Sequence, residues 1–145
     1  MSGIAEEVYV GEPIVYVDQS AVEPDKFDEL NATISELVAF VEEREPQLIL
    51  YGFYLEREPP RMTVVAVHHD SASLELHLSV GGPLFRKVGE FIDLERIDVY
   101  GEPSDAAVDQ LLTKAGMLRT DAPVVAHELH AGFARIPSEA VLNPT

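Results

Sequence analysis

The chain of 145 residues carries 10 Lys and Arg against 26 Asp and Glu, a formal charge of −16. That length supports one core rather than two, and that charge argues against a nucleic-acid backbone or an anionic membrane surface as partner. There is no Cys and no Trp, which excludes disulfides, thiolate metal sites and a cysteine nucleophile.

Residues 1–12 read as an N-terminal arm. Its first seven residues hold no basic side chain and no long apolar run, so we expect no signal peptide and a cytoplasmic protein. No stretch approaches the roughly 20 apolar residues that span a bilayer. Residues 14–19 (IVYVDQ) are β-branched and aromatic and predict a strand. Pro24 then opens a helix in which Phe27, Leu30, Ile34, Leu37, Val38 and Val41 recur three and four apart. That helix should stop near Arg44, because Glu45 precedes Pro46 and is pushed from helical angles.

Residues 48–57 (LILYGFYLER) and 61–70 (RMTVVAVHHD) predict a hairpin, with its prolines confined to the connection. Both strands are apolar on both faces, which implies a second cover beyond the helices. A second copy of the same sheet would supply it. Residues 71–80 are ambiguous: Leu74, Leu76, Leu78 and Val80 alternate as in a strand, while Ser71 after Asp70 equally caps a helix with Leu74, His77 and Leu78 on one face. After the Gly81-Gly82-Pro83 break, Leu84, Phe85, Val88, Phe91 and Ile92 have helical spacing, and residues 94–100 (LERIDVY) predict a strand. Residues 104–112 predict a helix capped by Ser104 and stopped by Gly116. Residues 123–136 predict a last strand that closes a sheet edge, in the same copy or its partner.

The order strand, helix, strand, strand, helix, strand is that of the ferredoxin-like α+β sandwich. Three stretches carry a more specific resemblance: IVYVDQSAVEPDKFDEL, LILYGFYLEREPPRMTVVAVHHD and DSASLELHLSVGGPLFRKVGEFI. Together they resemble the antibiotic-biosynthesis monooxygenase-like proteins of the dimeric α+β barrel superfamily, over roughly residues 14–100. The resemblance implies a barrel domain over residues 13–103 with a helix–strand extension at 104–145. It implies a homodimer and a cavity between sheet and helices. It further implies cofactor-independent oxygenation of a small hydrophobic or aromatic molecule such as a quinol or phenol, with no metal and no other cofactor. A non-catalytic barrel that binds a small ligand or a partner protein is the alternative. The Asn, Trp and His that the haem-degrading branch uses are not matched, since the nearest positions hold Asp18, His77 and a stretch around Lys87 without His.

The helix histidine of the family falls on His77, in SLELH, where Leu74 and Leu78 would share its buried face. A desolvated imidazole there is a base for a phenolic proton. Asp18, near the end of the first strand at the position closest to the family's Asn, is its expected polar counterpart, and Tyr54, His68, Tyr16 and Phe85 are the expected substrate contacts. His68 and His69 are adjacent on a strand and should face opposite sides, but both rows are apolar and parity does not say which faces the cavity. Each of the two is expected half in solvent at the strand end. His127-Glu128-Leu129-His130 lacks the HExxH spacing, so no metal site is read there. Arg96 and Asp98 share a face and predict an ion pair within the sheet.

Overall fold

The computed structural model describes residues 12–118 and 121–135. Strand β1 (Ile14–Val22) passes through a 3-10 turn (Pro24–Lys26) into α1 (Phe27–Arg44), and β2 (Leu50–Arg57) and β3 (Pro60–His68) form the hairpin. Helices α2 (Ser71–Val80) and α3 (Gly82–Gly89) precede β4 (Ile92–Tyr100), and α4 (Asp105–Leu118) and β5 (Val124–His127) follow. The sheet runs β2-β3-β1-β4-β5 and is antiparallel except for the β4–β5 pair. This is a ferredoxin-like α+β sandwich with one added strand. The arm, apart from Glu12, and residues 136–145 lie outside the described residues. No helix among those described is long and apolar enough to cross a membrane.

Local chemistry accounts for most boundaries. Helix α1 buries Phe27, Leu30, Ile34, Leu37 and Val41 along one stripe and ends where Glu45 adopts φ −128° before Pro46. The ambiguous segment is the helix α2: the Asp70 carboxylate accepts the Ser73 N–H at 3.0 Å, so the cap outweighs the alternation of leucines. Leu74 and His77 face inward and Leu76 is exposed.

Two expectations need correction. The helix capped by Ser104, whose Oγ accepts the Ala107 N–H at 3.1 Å, runs through the exposed Gly116 to Leu118. A solvent-facing glycine there costs only about 1 kcal/mol against alanine and does not stop it. The last strand is also far shorter than residues 123–136. Beyond His127 no partner remains, because β4 ends at Tyr100 and Gly101 turns away at φ 129° while its N–H donates to the His127 carbonyl. β5 thus extends its own sheet, parallel to β4, rather than a partner's.

The register sorts every strand residue onto one of two faces. Tyr51, Ala66, Tyr16 and Val99 make one line across the sheet, and Phe53, Val64, Asp18 and Ile97 the next; both face the helices. On the other face Gly52, Val65, Val17 and Asp98 are in line, flanked by Tyr54, Thr63, Gln19 and Arg96. His68 therefore belongs to the helix-side row of Met62, Val64 and Ala66. Both His68 and His69 are buried rather than half in solvent, because α2 turns back over the end of β3.

Candidate functional site

Between sheet and helices lies a cluster of polar side chains that a plain core would not hold. Asp18 and Tyr16 enter it from β1, His68 from β3, His77 from α2 and Lys114 from α4, all buried. Glu45 enters from the turn after α1, its side chain 0% exposed.

Two hydrogen-bonded arrays organise it. In the first, His77 Nδ1 lies 2.9 and 3.0 Å from the two oxygens of Glu45. An ionised carboxylate only accepts, so Nδ1 carries the hydrogen and Nε2 the lone pair. Burial lowers the His77 pKa below its ordinary value of 6.5, with Glu45 pulling the other way. In the second, Lys114 Nζ donates to Tyr16 Oη at 2.8 Å, and Tyr16 Oη donates to Asp18 Oδ2 at 2.5 Å. Lys114 Nζ is also 3.7 Å from Asp18 Oδ2, an ionic contact rather than a hydrogen bond. Burial raises the Asp18 carboxyl and lowers the Lys114 ammonium, and each partner opposes the shift of the other. Burial also pushes the Tyr16 and Tyr51 phenols well up.

Aromatic rings join the arrays. The His77 ring lies 4.8 Å from Tyr51, 5.3 Å from Phe85 and 5.5 Å from His68, centroid to centroid. His68 donates or accepts through Nδ1 at 2.7 Å from Ser73 Oγ, while its Nε2 is buried without a partner among the described residues. Burial lowers the His68 pKa to about 3, so it is neutral at physiological pH. The Phe85 ring rests flush on Gly81, where a Cβ would come within 2.6 Å of Phe85 Cζ.

A chamber of about 20 Å³ opens among these groups, walled by Asp18, Tyr51, Phe53, Phe85 and Lys114 with aliphatic neighbours. His77 stands behind Tyr51 and Phe85. The chamber's walls are shared with two larger surface clefts. One of about 270 Å³, between the end of α1 and β2, shares Tyr51 and reaches Glu45; another of about 210 Å³, between α2, α3 and α4, shares Phe85 and Lys114.

The structure thus brings together His77, Asp18, Tyr16, His68 and Phe85 of the residues singled out in the sequence. It does not bring Tyr54, which is 56% exposed on the opposite face of the sheet; the tyrosine turned toward the helices on that strand is Tyr51. Arg96 does pair with Asp98, at 2.7 and 2.8 Å, and His127 Nε2 joins them at 2.7 Å. Among the described residues no group of three or more His, Asp and Glu is placed to hold a metal ion. Sequence reasoning missed Glu45 and Lys114, and each left a signal. Lys114 falls three residues after Leu111 and seven after Ala107, on the apolar face of its helix. Glu45 is an acid at the carbonyl end of a helix, where the dipole disfavours negative charge.

This architecture recurs in known proteins. Over 86% of the chain and 96% of the other, it is similar to MupZ from Pseudomonas fluorescens, with TM-score 0.66 and 17% identity. SnoaB, a cofactor-independent oxygenase from Streptomyces nogalater, matches over 65% of the chain and 96% of its own length, with TM-score 0.52 and 17% identity. The fold is that of the antibiotic-biosynthesis monooxygenase-like proteins. The chain is also similar to a conserved protein from Methanosarcina mazei Go1, with TM-score 0.56 and 27% identity, over 63% of this chain and 93% of that one. Residues 1–103 make up about 71% of the chain, so the 86% overlap with MupZ includes part of the extension that carries Lys114. No family model matches the sequence, and no curated protein does either.

Proposed function

We propose that the protein is a cofactor-independent oxygenase acting on a small hydrophobic phenol, quinol or anthrone, with His77 as the base. The observation that carries this reading is the buried Glu45–His77 pair. It fixes the tautomer and leaves Nε2 able to take a proton at neutral pH, in an interior shared with ring-stacking side chains. Removal of that proton leaves an electron-rich anion that dioxygen can oxidise directly. For an anthrone the balance is one CH2 and one O2 giving one C=O and one water: one oxygen atom enters the carbonyl, and the other leaves with both hydrogens. The chain's own residues orient the substrate, accept the first proton and exclude water; the chemistry calls for no metal or flavin.

The chamber holds about one water, so an aromatic substrate enters by turning Tyr51 or Phe85 aside and joining the chamber to a neighbouring cleft. We further read residues 13–103 as the barrel domain and the protein as a cytoplasmic homodimer. The half-buried row Val15, Val17, Val65 and Val67 on the open sheet face is the surface a second copy would cover.

Oxygen uptake with small quinols and anthrones tests the reading. Wild type should consume oxygen, and His77→Ala should lose about 10²–10⁴-fold in rate. Equal rates would remove His77 from the reaction. The small size of the chamber favours a second reading, a non-catalytic barrel that binds a small ligand or partner, and uptake in neither protein would select it.

A further inference from the structure

We propose that the Lys114 ammonium is a catalytic residue that binds the ionised oxygen of the substrate, so that the extension completes a site otherwise built by the barrel. The proposal rests on the reading above that the ligand carries an ionisable hydroxyl, and it names the group that receives that oxygen.

An ammonium has three donors. One goes to Tyr16 Oη at 2.8 Å, and Asp18 Oδ2, at 3.7 Å, is too far to take a second. The remaining surroundings are rings: Nζ lies 4.7 Å from the centroid of Tyr16 and 4.5 Å from that of Phe85. Rings soften the desolvation of a cation without using its hydrogens. Opposite, Asp18 Oδ1 is buried with no hydrogen-bond partner among the described residues, although Asp18 lines the same chamber as Lys114. Unspent donors and an unspent acceptor therefore face one small space. Its volume matches about one water; a hydroxyl fits both groups and its anion fits the ammonium.

Access agrees with this placement. Lys114 and Phe85 line both the chamber and the 210 Å³ cleft between α2, α3 and α4. A phenol whose ring occupies that cleft would direct its oxygen to Nζ past Phe85, whose ring also touches His77. Proton removal by His77 would then create negative charge beside a cation fixed in advance, where low dielectric makes the attraction strongest. The charged and titratable groups around Nζ are Tyr16 and Asp18 on β1, His68 on β3 and His77 on α2. Lys114 carries the one amine among them, its ammonium disfavoured by burial and supported by the Asp18 carboxylate.

The test uses 4-nitrophenol, whose ionisation is read by absorbance and requires no oxygen. Bound to wild type, it should ionise at a pH about one unit below that of free 4-nitrophenol, a tenfold preference for the anion. Lys114→Met should abolish the shift, Lys114→Arg should keep part of it, and Asp18→Asn should enlarge it by freeing the ammonium from its carboxylate. Failure of wild type to bind the phenol, or an equal shift in wild type and folded Lys114→Met, overturns the proposal. Should Lys114→Met not fold, a shift unchanged in Asp18→Asn overturns it. The two readings separate cleanly. A Lys114-dependent shift without oxygen uptake from any quinol retains the anion subsite and rejects the oxygenase. His77-dependent uptake with no shift does the reverse.

Discussion

The two faces of the sheet treat the same kinds of residue in opposite ways. On the helix side Tyr16, Asp18, His68 and Lys114 are almost wholly buried and tied into hydrogen-bonded arrays. On the other side Tyr54 and Tyr100 are open, and Asp98 on β4 is satisfied by Arg96 and by His127 of the edge strand β5. The half-covered residues there include Val15, Val17, Val65 and Val67. Burying a charged pair and two neutral imidazoles costs folding free energy that leucines in the same space would not. A fold that keeps such groups on one face, and cheap valines on the other, has separated a site from a surface for packing.

The sharpest way to break this contrast is to make the open face resemble the buried one in charge. Val65→Arg would place an unpaired cation in the middle of the face that a second copy would cover in the proposed homodimer, once in each subunit. Sedimentation should show wild type as a dimer at micromolar concentration and the variant as a monomer, with dimer affinity reduced by more than about 10²-fold. A wild-type monomer would leave the open face simply solvated.

Acid should act on the helix side. The folded-state pKa of His68 is about 3 against an ordinary 6.5. Between those values the unfolded chain binds a proton that the folded chain does not, so stability falls as pH falls through that window. The loss approaches about 5 kcal/mol near pH 3. His77, also lowered, adds in the same direction, and Asp18, raised by burial, opposes both. Chemical denaturation of His68→Gln from pH 7 to 4 should give a shallower decline than wild type.

A smaller effect sharpens the comparison from within the buried face. Lys114→Met leaves Asp18 without its counter-charge and should cost about 3–5 kcal/mol in urea unfolding. Adding Asp18→Asn to it should recover most of that loss, because the pair then goes as a unit. Two additive losses would mean that the contact at 3.7 Å contributes nothing to stability.

Much of the fold was legible along the chain. The spacing from Phe27 to Val41, Pro46 after Glu45 and the two apolar runs around Glu58-Pro59-Pro60 each encode a local preference that the fold obeys. The start of α2 was legible too, read with Ser71 as its cap where Asp70 serves, and that cap together with the packing of Leu74 and His77 outweighs the strand pattern that competed with it. For the last strand the residues promised more than β4 could pair. The family resemblance pointed to His77 and Asp18; the register puts Asp18 on the helix side, and α2 turns His77 inward.

Outside residues 71–80 and 128–136, sequence alone determined which segments are helix or strand, because caps, prolines and apolar periods act over a few residues. It determined equally that both rows of the hairpin are apolar. Tertiary structure alone decided which row faces the helices, and so why Tyr51 rather than Tyr54 borders the chamber. It also decided that Glu45 meets His77 across 32 positions and Lys114 meets Tyr16 across 98. Those partners are chosen by how α1 and α4 pack on the sheet, and no local preference of a glutamate or a lysine specifies a partner so distant in the chain.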